Sequence, residues 1–304
     1  NLKLYLERTR ITELYIDGKK IGRQESLCTP HIYDLNEYIG TGIHEMTICV
    51  SNVGYKTKGG HLTSPDTQTN WNGITGRIEL IGYKNAHAEN VMLWCDIHSK
   101  TVRVTANITG GKSGKAVISA ESFNSEKSHT PEVQSFEYTD GKLDALYKMG
   151  NDCLLWSEHE PNLYKLRIDI DGDVSEHIIG MREFNTEGGK FTINGEKTFL
   201  RGKHDGMIFP KTAFAPTDLE EWLRVMKISK SYGMNHYRYH TCCPPESAFI
   251  AADMLGIYME PQLPFWGTIT EEGEENHNQE EQDFLVEEGF NMLKFFGNHP
   301  SYCM

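Results

Sequence analysis

No apolar run in this sequence approaches the ~20 residues that a helix needs to cross a bilayer. No stripe of clustered lysine and arginine occurs either. Lys and Arg number 30 against 43 Asp and Glu, a net charge of −13, which argues against a phosphate-backbone partner such as nucleic acid. The seven cysteines, Cys28, Cys49, Cys95, Cys153, Cys242, Cys243 and Cys303, include no Cys-x2-Cys pair. A structural zinc site is therefore not expected, and a chain of this length needs no disulfide scaffold. Buried or idle thiols are the simpler reading. Among the thirteen histidines only His236 and His240 show His-x3-His spacing, and they fall on a segment read as a strand; no His-Glu-x2-His occurs, which disfavours a helix-borne zinc centre. Missing too are a Gly-x-Gly-x-x-Gly turn after a strand and a Gly-x-Ser-x-Gly elbow, so dinucleotide binding and serine-hydrolase chemistry lose support. Gly110-Gly111-Lys112-Ser113-Gly114 reads as a turn between strands, because it lacks the order of a phosphate loop and the helix that should follow. No basic-then-apolar leader stands at the start. Asn1 to Leu6 already alternates like a strand, so the natural start is expected to lie upstream. The compartment is not readable, and composition leans only towards export, periplasmic or extracellular, from a bacterium.

What is present divides into three stretches: 1–84, 85–182 and 183–304. The first is strand-rich and turn-punctuated. Leu14-Tyr15-Ile16 runs into Asp17-Gly18, a tight hairpin turn, and Met46 to Val50 alternates. A long polar loop from Lys58 to Asn72 precedes a strand over Gly76–Ile81. Strands at this spacing suggest a β-sandwich, with its opening strands expected upstream. In the second stretch Val102, Val104, Ala106 and Ile108 share one face of a strand, as do Tyr164, Leu166, Ile168 and Ile170. That pattern suggests a second, smaller sandwich.

From Lys190 helices begin to alternate with strands. A hairpin over Phe191–Lys197 leads to a strand ending at Lys203. Thr217 with Glu220 reads as a capping box opening a helix whose Leu219, Trp222, Leu223 and Met226 form one apolar stripe. A strand follows over Asn235–His240, then a helix from Pro244 to Gly256, a strand over Ile257–Glu260, a helix over Gln279–Phe296 and a fourth strand from Ser301. Such alternation implies a parallel sheet, in a barrel or a doubly wound fold. In a (β/α)8 barrel, chemistry sits at the C-terminal ends of the strands. That rule selects His204 and Asp205, Arg238 and His240, and Glu260, Gln262 and Trp266. Imidazole, guanidinium and a flat indole suit a polyhydroxylated ring: the first two hydrogen-bond hydroxyls, and the third packs on apolar C–H faces. Plainer roles stand beside these. Arg238 could pair with Glu260, His204 could be a satisfied histidine, and Trp266 could be loop packing. The acidic run Glu271 to Glu275, with Glu280 and Glu281, reads first as solvated surface.

Several phrases, in order, resemble one family. These are Leu14 to Lys19, Trp71-Asn72-Gly73-Ile74, Trp156 to Tyr164, Gly180-Met181-Arg182, Ile193-Asn194-Gly195, Leu200-Arg201-Gly202 and Asn298-His299-Pro300-Ser301. Together they resemble glycoside hydrolase family 2, the β-galactosidase, β-glucuronidase and β-mannosidase family, along essentially the whole chain. The resemblance implies a multidomain β plus α/β fold. Its parts would be a partial jelly-roll (1–84), an immunoglobulin-like sandwich (85–182) and the first half of a TIM barrel (183–304), stopping in strand four. It implies a retaining exo-glycosidase with a glutamate acid/base and a glutamate nucleophile, both expected beyond Met304, so no catalytic residue is expected in this chain. Lys203-His204-Asp205 resembles the family's triplet after strand one, and Asn235 and Arg238 match its Asn-x-x-Arg on strand two. The implied sugar contacts are His204, Asp205, Arg238, His240, Trp266 and Asn70, with Asp66 an alternative in the same loop. Pro261-Gln262 stands where the galactosidases carry Asp-Glu, so no metal ligand or other cofactor is expected there. A divalent cation or sodium in the parent protein is left unsupported. The expected partner is an oligo- or polysaccharide, most in keeping with a β-galactoside. β-Glucuronide and β-mannoside are the alternatives, and a non-catalytic carbohydrate-binding protein is the alternative of another class. No membrane or nucleic acid is expected, and self-association is left open.

Overall fold

The computed structural model describes residues 1–67, 71–83 and 85–304. These residues are mostly β, in several bodies, with three α-helices among them. Two three-stranded antiparallel sheets make the first body. Leu2–Leu6 lies between His31–Asp34 and Ile78–Gly82, and Ile11–Ile16 lies between Lys19–Gln24 and Met46–Ser51. Leu4, Leu6, Leu14, Ile16, Tyr33 and Leu35 fill the space they share. The hairpin turn at Asp17-Gly18 has φ of 50° and 76°. Two successive positive values match the twist of the flanking strands, which is why a residue pair tolerant of that region stands there.

The second body pairs a four-stranded sheet (Gln134–Tyr138, Gly114–Phe123, Leu163–Ile170, Asp173–Ile179) with a three-stranded one (Lys142–Lys148, Thr101–Thr109, His87–Asp96). The alternation read in the sequence is realised. Val102, Val104, Ala106 and Ile108 meet Leu166, Ile168 and Ile170 in one core, while Arg103 and Asn107 face outwards. Gly110–Gly114 is the crossover from one sheet to the other.

The hairpin Lys190–Ile193 with Glu196–Lys197 leads into a three-stranded parallel sheet of Gly202–Asp205, His236–Tyr239 and Tyr258–Pro261. Helices α1 (Leu219–Ser231) and α2 (Glu246–Leu255) connect these strands, and α3 (Gln279–Phe296) follows the third. Trp222, Leu223 and Met226 of α1 are buried with Phe249 and Ala252 of α2 against Tyr237, Tyr239 and Met259. α1 does not start where the sequence suggested. Asp218 is its cap, accepting from Glu221 N at 2.9 Å. Thr217 instead donates to Thr75 O of the first body at 3.3 Å, so a tertiary hydrogen bond displaced the local capping box. The expected fourth strand is reduced to one parallel bridge between Met259 and Tyr302.

α2 ends on Gly256 in the left-handed region at φ 68°, packed so tightly that a Cβ there would lie 2.7 Å from Ser157 O. Strain and overlap act together, so Gly256→Ala is expected to lower stability by about 1–3 kcal/mol. A urea unfolding midpoint indistinguishable from that of the unmodified chain would refute this.

Candidate functional site

Side chains along a strand alternate between its faces. On the parallel sheet Lys203, Asp205, Tyr237, Tyr239 and Met259 therefore share the helix-covered face, and His204, Arg238 and Glu260 share the other. These last three stand in one cross-strand row, because His204 pairs in register with Arg238 and Arg238 with Glu260. His240 and Gln262 lie just beyond the strand ends on the same face, and Trp266 stands on the loop that follows.

The row is tied by polar contacts. Glu260 meets Arg238 Nε at 3.5 Å and His236 Nε2 at 3.2 Å, and accepts from Gln262 Nε2 at 3.1 Å. The pairing of Arg238 with Glu260 weighed from sequence is thus present, and it leaves Arg238 Nη1 free to reach His240 Nδ1 at 3.3 Å. A guanidinium only donates, so Nδ1 accepts and the His240 proton sits on Nε2. Burial holds the His240 pKa below its ordinary value, and the nearby Arg238 and His204 charges act in the same direction. The His204 ring is exposed, 4.9 Å from that of His240.

Two residues next to these strand ends hold backbone conformations that side chains rarely adopt, Met207 at φ 55° and Thr241 at φ 52°. Met207 N donates to Asp205 Oδ1 at 2.6 Å and Thr241 N to Gln262 Oε1 at 3.1 Å, which hold the turns in place. Strain of this kind costs on the order of 1–3 kcal/mol per residue and collects at functional rims.

Sequence reasoning missed His61. The first body sends residues 57–67 onto this rim: Thr57 Oγ1 donates to Pro264 O at 2.9 Å, and His61 N donates to Thr241 Oγ1 at 3.0 Å. The His61 ring lies edge-on to His240 at 5.3 Å and to Trp266 at 5.6 Å. Burial lowers its pKa, helped by His240 and His204. Its surroundings are set by close tertiary approaches that no spacing in the sequence displays. A Cβ on Gly59 would lie 2.9 Å from Trp266 Cβ, and one on Gly206 would lie 2.6 Å from His61 Nε2.

Of the residues selected from sequence, His204, Arg238, His240 and Trp266 come together. Trp266 is 42% exposed, enough indole face to receive a ligand. Asp205 does not join them. Its carboxylate is buried on the helix side, 2.9 Å from Lys203 Nζ and bonded to Met207 N. Asn70 lies outside the described residues, and Asp66 is exposed in the loop before it. Asn235 sits at the opposite end of its strand, 1% exposed, bonded to Glu158 Oε2 at 2.8 Å and to Phe199 O at 3.0 Å. Its role is structural. Among the described residues no cluster of three or more His, Cys, Asp or Glu could hold a metal ion.

Residues 86–182, the second body, match the family model for glycosyl hydrolases family 2. Relatives bearing the names of that family's enzymes align along almost the whole chain. A β-galactosidase of Thermoanaerobacter pseudethanolicus is 25% identical over 97% of the chain and 40% of its own length. The family 2 match thus falls on the second body, and the chain as a whole resembles enzymes named for that family. A second relative, a putative β-glucuronidase of Formosa agariphila, is 23% identical over 86% of the chain and 33% of its own length. Among solved structures, β-glucuronidase 2 of Bacteroides uniformis superposes with a TM-score of 0.79 at 17% identity, covering 99% of this chain and 38% of that one. A family 2 member from Bacteroides cellulosilyticus does so at 0.74, with 18% identity and coverages of 99% and 41%. At such identity the structural matches establish the fold. The chain spans less than half the length of these family 2 relatives.

Proposed function

We propose that the longer polypeptide containing this chain is a retaining exo-glycosidase that removes a terminal β-linked sugar, a β-galactoside, and that this chain supplies part of its sugar-positioning rim. On this reading residues 1–84 form a partial jelly-roll, 85–182 an immunoglobulin-like sandwich and 183–304 the first half of a (β/α)8 barrel. The two catalytic glutamates then lie beyond Met304. Retention requires their carboxyls to stand ~5–5.5 Å apart, so that one attacks the anomeric carbon while the other protonates the departing oxygen.

The observation that carries the reading is the rim itself. His204, Arg238 and His240 converge beside the half-exposed Trp266 at the C-terminal ends of parallel strands, where a barrel of this kind does its chemistry. The galactoside is preferred over the glucuronide because the nearest cations are already matched. Lys203 pairs with Asp205 and Arg238 with Glu260, which favours an uncharged, hydroxyl-bearing ring over a carboxylate. The names of the solved neighbours make the glucuronide the second reading.

Nitrophenyl β-galactoside, β-glucuronide and β-mannoside offered to the long and the 304-residue forms should decide. The long form is expected to cleave the galactoside and the short form none of the three. Cleavage of the glucuronide alone would select the second reading. Turnover by the short form would overturn the placement of both glutamates. Inactivity of both with glycan still bound would make this a carbohydrate-binding protein.

A further inference from the structure

The sugar-binding reading treats Trp266 as a platform, and a platform must be held at a fixed angle. Trp266 stands on the loop that follows the third parallel strand. Pro264, two residues before it, is gripped from the first body, since Thr57 Oγ1 donates to Pro264 O at 2.9 Å, and a Cβ on Gly60 would press on the Pro264 carbonyl carbon at 3.0 Å. The Trp266 ring meets His61 edge-on at 5.6 Å with the planes at 85°. His61 also meets His240 at 5.3 Å and 74°. One imidazole from the first body therefore braces two rim groups contributed by the parallel sheet.

His61 is itself held in place. Its N–H donates to Thr241 Oγ1 at 3.0 Å, its Nδ1 lies 3.2 Å from that same hydroxyl, and its Nε2 lies against Gly206, where a Cβ would come within 2.6 Å. Its backbone and Nδ1 are held by Thr241, so the part-buried ring is well placed to hold its neighbours. Edge-to-face ring pairs add about 0.5–1.5 kcal/mol beyond area burial. They also restrict the indole to one orientation, so that less order is lost when a sugar docks.

We infer that His61 is the positioning residue of the sugar-binding rim, through which the N-terminal sheets set the pose of His240 and Trp266 and hence the affinity for a terminal sugar ring. The inference rests on the glycosidase reading of the same rim. It assigns His61 no contact with the ligand and no part in proton transfer.

The test uses this chain labelled with 5-fluorotryptophan, whose five indoles (Trp71, Trp94, Trp156, Trp222 and Trp266) give separate fluorine signals. Trp266→Phe identifies the rim signal. Trp156 and Trp222 are fully buried and report on the fold. Titration with methyl β-thiogalactoside, which glycosidases do not cleave, should move the Trp266 signal. In His61→Ala the buried signals should stay in place while the dissociation constant rises by about tenfold. His61→Asn, which keeps a polar group near Thr241 but no ring, should weaken binding as much as alanine does. It also serves as the variant of record should the alanine form misfold. An unchanged dissociation constant in either variant, with Trp266 still responding, would overturn the positioning role and leave the glycosidase reading intact. A Trp266 signal that responds to neither the thiogalactoside nor the matching thioglucuronide would overturn the reading of the rim, and the inference with it.

Discussion

Replacing Asp253 with alanine is expected to cost about 3–5 kcal/mol of folding stability, the penalty for stripping one partner from a buried ion pair. Asp253 lies on α2 and is fully buried. Its Oδ2 is 2.6 Å from His299 Nδ1, and its Oδ1 accepts from Ser301 N at 2.9 Å. Its backbone carbonyl also accepts from Trp156 Nε1 at 2.8 Å. One residue thus fastens the Asn298–Ser301 turn to α2 and to the second body. Burial alone would lower the His299 pKa, but the Asp253 charge and hydrogen bond outweigh it and hold the pKa above its ordinary 6.5. A raised histidine pKa gives stability that is complete below the unfolded value and fades as pH climbs through the folded one. With Asp253 gone burial is opposed only by the weaker Glu246 charge, and protonation of His299 then opposes folding. The stability difference between the two chains should therefore be larger near about pH 5.5 than near about pH 8. Urea unfolding at both values measures it. A difference under about 1 kcal/mol and equal at the two would show that the pair contributes little.

Glu158→Ala is expected to cost about 2–4 kcal/mol, because it orphans several donors at once. Glu158 is 7% exposed and accepts from Asn235 Nδ2 at 2.8 Å, Thr198 Oγ1 at 3.0 Å and Arg201 Nη2 at 2.7 Å. Arg201 is nearly half exposed, so its share of the cost is discounted for solvent screening. Burial works against the charge on Glu158, yet the Asn235, Thr198 and Arg201 hydrogen bonds together hold its pKa below the usual 4.5. A depressed carboxyl pKa stabilises above the unfolded value, and that contribution is lost as pH falls through the folded one. Glu158→Gln should accordingly be weaker than the unmodified chain near neutrality and approach it as pH drops below 4.5. A gap that stays constant on acidification would mean that the charge on Glu158 does not matter.

Both predictions concern junctions, and junctions are what the sequence concealed. Trp156 to Tyr164 was legible as a phrase, but nothing in its spacing showed that Glu158 would reach Asn235, 77 positions later. For that reason the match of Asn235 to the family's Asn-x-x-Arg could not show that its amide is spent at the far end of the strand. His204, Arg238 and His240 were legible because strand periodicity fixes which side chains share a face. Asp205 was misjudged for a related reason: adjacent to His204 in sequence, it necessarily points to the other side. Thr217 looked like a helix cap until the carbonyl of Thr75, 142 positions away, proved the better partner. The family resemblance was legible in the ordered phrases, and the match over 86–182 bears it out.

The sequence by itself determined the elements and their faces. Alternating Val102 to Ile108, the Asp17-Gly18 turn and the apolar stripe of α1 follow from local periodicity and backbone preference, which act over a few residues. Tertiary structure alone decided which distant groups meet. The packing of residues 57–67 on the rim put His61 against His240 and Trp266, and close packing at Gly59, Gly60 and Gly206 made room for it. Such contacts depend on how whole sheets dock, and docking energy is summed over many side chains with no period for a single sequence to display.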